Sequence, residues 1–465
     1  MGRRLFVALR HRACRLRHTG ADAQGQLSRL PGHAAQHEVS WRPKFGGLWR
    51  DREFMTFWSA QTVSEFGDRI TELALPLIAV TLLNATAAEV GFLTAAVWLP
   101  NLSSLVIGSW VEQQHNKRRL MVGADLFRLL MLLSLPIAFW FGALTMLQLY
   151  VIALLAGTAK AMFDTAYAAF FVRLVARDDY LEANSKLSGT RSLSYMAGPA
   201  VGGILVQVLT APIAIVVDAL TFLFSAIQVS RLKVESLAPE VTDEPLFTRA
   251  VAGMRYLLTH PYLRGSLASA TTVNFFNFIG SSLLVLFASR YLELSAGLIG
   301  IALGVGAVGG VLGAMLATPL TKRIGVGRLV AISVVVFPAA IGIAAFASGP
   351  TWLRAAEFGA AEFVSSFSVM CLDIPLAALG ASVTAEHMRS RMTGAFITIN
   401  YGIRPFGAVL GGLLGSWIGP RETLLVSATG GVFAVLWLLR SPILKVTTIE
   451  ALQQEISSEA AIRPS

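Results

Sequence analysis

The chain has 465 residues, of which 54% are hydrophobic and only 14% charged, and its mean hydropathy is +0.62. A soluble domain with that balance would lack the polar surface to stay dispersed, so the composition excludes one and specifies a polytopic membrane protein. The net charge is +10, and two cysteines, Cys14 and Cys371, are too few for a disulfide framework, so no redox or zinc chemistry is implied and no metal or cofactor is expected.

Residues 1–53 are a compositional block apart, with eleven Arg and Lys against Asp22, Glu38, Asp51 and Glu53. The basic excess holds this end on the cytoplasmic side. The block lacks the apolar stretch and cleavage site of a signal peptide. It reads as a disordered arm or a start-codon artefact rather than a nucleic-acid patch, and no nucleic acid is expected as a partner.

From Phe54 onward, twelve apolar segments are long enough to cross a hydrocarbon core of about 30 Å. They cover roughly 54–80, 88–111, 120–141, 147–172, 187–209, 212–230, 265–290, 297–320, 328–348, 352–381, 393–417 and 422–439. The loops this count places inside hold seventeen Lys and Arg, while those placed outside hold only Arg290, Arg354 and Arg421. That asymmetry puts both termini in the cytoplasm. The domains are then the arm 1–53, a six-helix bundle 54–231, a cytoplasmic linker 232–262, a second bundle 263–440 and a tail 441–465. Within the linker, Phe247 to Leu258 reads as an amphipathic helix on the membrane surface.

Ionisable residues inside apolar spans are costly, so each is a functional candidate. Glu65, Asp68, Arg69 and Glu72 of the first span fall within a stripe of about 100° at helical periodicity, so one face of that helix looks into a water-filled cavity. Glu65 and Arg69 are spaced for an ion pair. Three acids against one base leave at least one carboxylate without a partner on this helix, which makes Asp68 and Glu72 candidates for proton or substrate binding. In the third span, Asp125 and Arg128 are expected to hold the basic loop beside them. Lys160 and Asp164 of the fourth span are spaced for a mutual salt bridge.

The fifth span contains Ser194-Tyr-Met-Ala-Gly198-Pro199-Ala-Val-Gly202-Gly203. Glycine costs roughly 1 kcal/mol relative to alanine in a helix and proline about 3, so close packing or a useful bend must offset them. Gly198 and Gly202 lie on one face, where another helix can approach at backbone distance. The spelling resembles the antiporter motif in the fifth helix of proton-coupled exporters of the major facilitator superfamily, with Ser194 in place of the family's first glycine. The later Asp218-Ala-Leu-Thr-Phe is similar to the macrolide-efflux and enterobactin-exporter branch, and Ser64-x-x-Gly67-Asp68 is similar to the family's first helix.

The resemblance covers about Phe54 to Arg440. It implies an all-α membrane protein with twelve transmembrane helices in two six-helix pseudo-repeats around a central cavity. Arg191 to Gly203 is echoed by Asn400 to Gly412, as such a repeat requires. The superfamily's gating loop after helix two corresponds to Gly108-Ser-Trp-Val-Glu112-Gln-Gln-His-Asn-Lys117-Arg118-Arg119. Gln113 and His115 replace the usual arginine and glycine, so its salt bridges would be redrawn around Glu112.

In the second half, Glu357, Glu362 and Asp373 occupy the tenth span. Glu362 is closest to mid-membrane and is a candidate partner for Arg404 of the eleventh. Asn274 and Asn277 form a hydrogen-bonding edge in the seventh, and Trp98, Tyr167 and Phe278 are among the aromatics able to wall an apolar cargo. His115, His260 and His387 all fall in inside loops, which leaves carboxylates to carry protons. The chain has no nucleotide-binding loop of the Walker type, so ATP does not drive it directly. No nucleophile and base are paired in a soluble domain, so no enzyme is expected. The resulting expectation is a monomeric secondary transporter of the cytoplasmic membrane. It would export a small, amphiphilic organic compound (drug, siderophore or secondary metabolite) by proton antiport. An importer or facilitator on the same fold, or a transport-dead sensor or scaffold, remains open.

Overall fold

A computed structural model describes residues 47–233 and 246–454, and every regular element in them is helical. Residues 1–46 of the basic arm and the last residues of the tail lie outside the described residues, whereas Leu48–Arg50 of the arm form a 3-10 turn that leads into the first long helix. In chain order the long elements are α1 (Arg52–Leu77), α2 (Ala87–Trp98), α3 (Ser104–Gln113), α4 (Lys117–Trp140), α5 (Met146–Leu174), α6 (Tyr180–Leu209) and α7 (Ala211–Arg231). They continue as α8 (Leu246–Thr259), α9 (Pro261–Ser281), α10 (Ala296–Ile324), α11 (Val326–Ala344), α12 (Thr351–Val383), α13 (Arg389–Gly402), α14 (Arg404–Trp417) and α15 (Pro420–Val432).

Local chemistry sets the boundaries. Asp51 caps α1, its carboxylate accepting from the Glu53 and Phe54 backbone N–H groups at 2.8 and 3.1 Å. Thr86 and Glu89 form a reciprocal capping box at the start of α2, and Ser295 caps α10. Thr210 and Gly419, with φ of 75° and 100°, turn the chain sharply into α7 and α15.

Nine helical segments among the described residues are long and apolar enough to cross a membrane. The other three expected spans fall short for identifiable reasons. Four charges on one face lower the hydropathy of α1, a 3-10 turn at Leu99–Ser103 that includes Pro100 divides α2 from α3, and a break at Ile403 before Pro405 divides α13 from α14. The fifth segment starts earlier than expected, at Tyr180, because Arg177–Asp179 make a 3-10 turn that leads straight into the helix.

The linker helix exists, and it is packed on the bundle along one side while Val251 and Leu258 stay exposed. Gly253 lies against the Arg391 carbonyl of α13, the Tyr256 hydroxyl donates to the Val383 carbonyl at 3.3 Å, and Leu257 is fully buried.

Segments 52–231 and 261–439 meet at two glycine-rich seams. A Cβ added to Gly203 of α6 would stand 2.8 Å from Gly300 Cα in α10, and one added to Gly412 of α14 would stand 2.9 Å from Gly91 Cα in α2. Beside these seams the Gly297 N–H donates to Gln207 Oε1 and the Ala88 N–H to Ser416 Oγ, both at 2.9 Å. Corresponding residues of the two seams differ in number by 209 throughout (300 − 91, 412 − 203, 297 − 88 and 416 − 207). The same interval relates two π-helical turns, Ile78–Leu82 and Phe287–Tyr291, and the left-handed residues that follow them, Asn84 (φ 50°) and Glu293 (φ 54°). Arg290 closes the contact by donating to the Val80 carbonyl at 2.8 Å. All these contacts lie at one end of the bundle, opposite the loops that follow α3, α5 and α10.

Candidate functional site

The charged face of α1 looks inward, as its periodicity predicts, but its acids are not left without partners. Asp68 is the hub. One carboxylate oxygen accepts from Arg128 of α4, and the other accepts from Lys160 of α5 at 2.6 Å. Arg69 holds Glu72 at 2.5 Å and reaches Glu65 at 3.9 Å, and Arg191 of α6 approaches Glu65 at 3.3 Å. Four helices thus supply the counter-charges, which the count on one helix could not reveal. Partial burial makes each pair sensitive to loss of one member.

Three expected pairings are overturned. Lys160 reaches Asp68 instead of Asp164, whose side chain is exposed and lies more than 4.0 Å from it. Arg128 does not hold the basic loop: its guanidinium bonds Asp68 and sits 3.8 Å over the Phe222 ring of α7. Glu362 does not meet Arg404. It packs at Gly306 of α10 and lines neither cavity described below. Spacing along one helix could not give the rotation of the neighbouring helices, which decides these partners.

Below the charge hub Asp218 of α7 is fully buried, where it accepts from the hydroxyls of Thr71 and Thr221. Gly67 makes room for it, because a Cβ there would overlap the Asp218 carboxylate. Asp125 is also buried, and its Oδ2 has no hydrogen-bond partner among the described residues.

The motif residues of α6 divide between two neighbours. Gly198 and Gly202 face α1, where added Cβ atoms would lie 2.5 Å from Arg69 Cγ and 3.2 Å from Ile70 Cα, whereas Gly203 faces α10. Ser194 is buried and donates to the Arg191 carbonyl at 2.9 Å. Pro199 stands within α6 and presents its carbonyl to Gly300. The loop after α3 uses its bases on the backbone. Lys117 donates to the Val111 carbonyl and Arg118 to the Leu232 carbonyl at 2.5 Å, while Asn116 caps the Arg119 N–H. Gly108 has open space beside it, and the Glu112 side chain lies outside the described residues.

Two cavities, of about 590 and 580 Å³, meet at Phe278 and Arg404. The first is lined by the α1 charge cluster, Arg128, Lys160, Trp98 and Tyr195, and the second by Asn274, Asn277, Asp373, Arg389 and Asn400. Each is large enough for a drug-sized molecule. Where they join, the Arg404 guanidinium lies 3.9 Å from the Tyr401 ring centre, 4.4 Å from Trp98 and 5.0 Å from Phe278, and Nε donates to Asn274 Oδ1 at 3.2 Å. Across the cavity Arg69 sits 3.9 Å over Tyr195. The sequence named Trp98, Phe278 and Asn274 as cavity residues, and it missed Tyr195 and Tyr401. The aromatic one position after Ser194 and the one three positions before Arg404 were the available signal.

Comparison with known proteins agrees with this architecture. The sequence profile of a family described as transmembrane secretion effector matches residues 46–460. The multidrug efflux pump Tap of Mycolicibacterium fortuitum is 25% identical over 386 residues, 77% of this chain and 88% of that protein. Macrolide efflux protein A of Streptococcus pyogenes is 24% identical over 203 residues, 42% of this chain and 49% of that one. Among solved structures, a bacterial homologue of the iron transporter ferroportin in an inward-facing state superposes with a TM-score of 0.67 at 14% identity, covering 84% of this chain and 98% of that one. An inward-facing, occupied bacterial homologue of the human lysosomal transporter Spinster gives 0.66 at 12% identity, with 84% and 97% covered. At such identities these two structures establish the fold alone.

Proposed function

Because the chain belongs to the transmembrane secretion effector family, within the drug-exporter branch of the major facilitator superfamily, and is therefore a membrane transporter rather than an enzyme, we propose that it exports a small organic compound from the cytoplasm by alternating access coupled to protons. The observation that carries this reading is the one-ended seal. Glycine seams, Gln207, Ser416 and Arg290 close one end of the bundle over the first, charge-lined cavity, while the second extends toward Arg389 at the start of α13. A carrier closed on one side around a polar cavity is one of the two states that alternating access requires.

In this reading the twelve segments are twelve spans, with α2 and α3 forming the second and α13 and α14 the eleventh. The constant interval of 209 residues supports two parallel six-helix repeats. The basic loops lie at the unsealed end, so the positive-inside rule makes that end cytoplasmic, with both termini there, in the cytoplasmic membrane. The protein works as a monomer, since each half of the seal is supplied by the same chain. Of the α1 carboxylates, Glu72 is the better proton carrier on geometry. It opens to the cavity and has one cation to release, whereas Asp68 must break two ion pairs.

Everted membrane vesicles carrying the protein test the proposal. An imposed inside-acid pH gradient should drive accumulation of compounds from a drug panel, and collapsing the gradient should stop it. Gradient-independent equilibration of every compound would establish a facilitator, and no movement of any compound would establish a sensor or scaffold.

A further inference from the structure

Granting the transport reading, we infer that the cargo is an amphiphilic aromatic anion, held by Arg404 at the junction of the two cavities. Charge argues this first. Arg69, Arg128, Lys160 and Arg404 line the first cavity against Asp68 and Glu72. The second adds Arg389 and Asp373, so cations exceed carboxylates by five to three across the whole cavity. A cationic cargo would enter against that excess, and an anionic one with it.

The excess is also localised. Arg69, Arg128 and Lys160 are each engaged by a carboxylate of α1. No carboxylate among the described residues lies within 4.0 Å of Arg404: its hydrogen-bonded side chains are the neutral Asn274 and Tyr401, and Asp373 of α12 faces it from beyond that distance. The guanidinium also lies against the faces of Tyr401, Trp98 and Phe278. Ring quadrupoles stabilise a guanidinium without neutralising it. A guanidinium so placed keeps its forked donors available for a carboxylate, sulfonate or phosphate. Trp98 and Phe278, edge to face with centres 5.1 Å apart, form the apolar wall against which a flat ring would lie.

The test uses the purified full-length protein and two aromatic dyes of opposite charge, carboxyfluorescein and ethidium. Fluorescence anisotropy should show saturable binding of carboxyfluorescein and none of ethidium. Arg404→Gln should weaken that binding by about tenfold or more, the usual weight of a charge-assisted hydrogen bond. Arg404→Lys, which keeps the charge and loses the fork, should fall between. Melting temperature and monodispersity identify any variant that has failed to fold, and the lysine variant keeps the test decisive if the glutamine one does. Ethidium binding that ignores Arg404, or carboxyfluorescein binding unchanged in Arg404→Gln, overturns the anion assignment. Transport in everted vesicles then separates the two readings. Export of ethidium alone sinks the anion and leaves the exporter standing, whereas Arg404-dependent anion binding without net transport does the reverse.

Discussion

At the scale of single residues, Asp68 and Glu72 sit one turn apart and answer to different physics. Asp68 satisfies Arg128 and Lys160 together, with its own side chain nearly buried. Asp68→Asn would leave two cations facing each other without a counter-charge, and breaking a buried pair typically costs about 3–5 kcal/mol. The variant should therefore express poorly and melt several degrees lower, and adding Lys160→Gln should restore part of the loss. A melting curve superimposable on that of the parent would show that the hub carries no stability. Glu72 is open to the cavity, so Glu72→Gln should fold normally and lose gradient-driven export while retaining counterflow of unlabelled for labelled cargo. Retained gradient-driven export would move proton carriage to another acid. The presence of a charged face on α1 was legible from its 3.6-residue period, because period alone decides which residues share a face. Its partners were not, because Arg128, Lys160 and Arg191 reach it from helices whose rotation only tertiary packing sets.

At the scale of elements, two adjacent glycines on α6 have different tasks. Gly202 packs against α1 inside the same half, whereas Gly203 meets α10 across the seal. The spacing of Gly198 and Gly202 in the sequence announced a close seam correctly, but the seam between halves uses Gly203. Adjacent helical positions point about 100° apart, so a motif with two consecutive glycines serves two neighbours. Gly202→Leu should lower yield and melting temperature and leave transport per folded molecule unchanged. Gly203→Leu, whose first side-chain carbon would already stand 2.5 Å from the Ala296 carbonyl, should fold but shift the population toward an opening of the sealed end. Spin-label distances between α6 and α10 at that end should lengthen by several ångströms. The same distances in both variants would refute the division of labour. The π-helical turns offer an independent lever, because Arg290→Ala removes the donor to the Val80 carbonyl without adding bulk, and a milder shift in the same direction is expected.

At the scale of the whole molecule, composition and hydropathy suffice to place the chain in a bilayer, because hydrocarbon leaves helices or closed barrels as the only options. Nothing in the sequence could announce which end is closed, since a carrier's two states share one sequence and differ by only a few kcal/mol. On the proposed reading the structure is one of them, and its seal suggests how to hold it there. Ala88 and Ser416 approach from opposite halves, with the Ala88 N–H donating to Ser416 Oγ at 2.9 Å, and Cys371 is buried, so in a Cys14→Ser background a cysteine pair at 88 and 416 would be the reactive site. Ala88→Cys with Ser416→Cys should cross-link under mild oxidation. If the seal must open in each cycle, the cross-linked protein binds cargo from the cytoplasmic side with unchanged affinity but moves none, and a reductant restores transport. Each single variant controls for the substitution itself. Transport that continues at full rate once the cross-link has formed would mean that these halves do not part at this end, and the alternating-access reading of the glycine seams would fall with it.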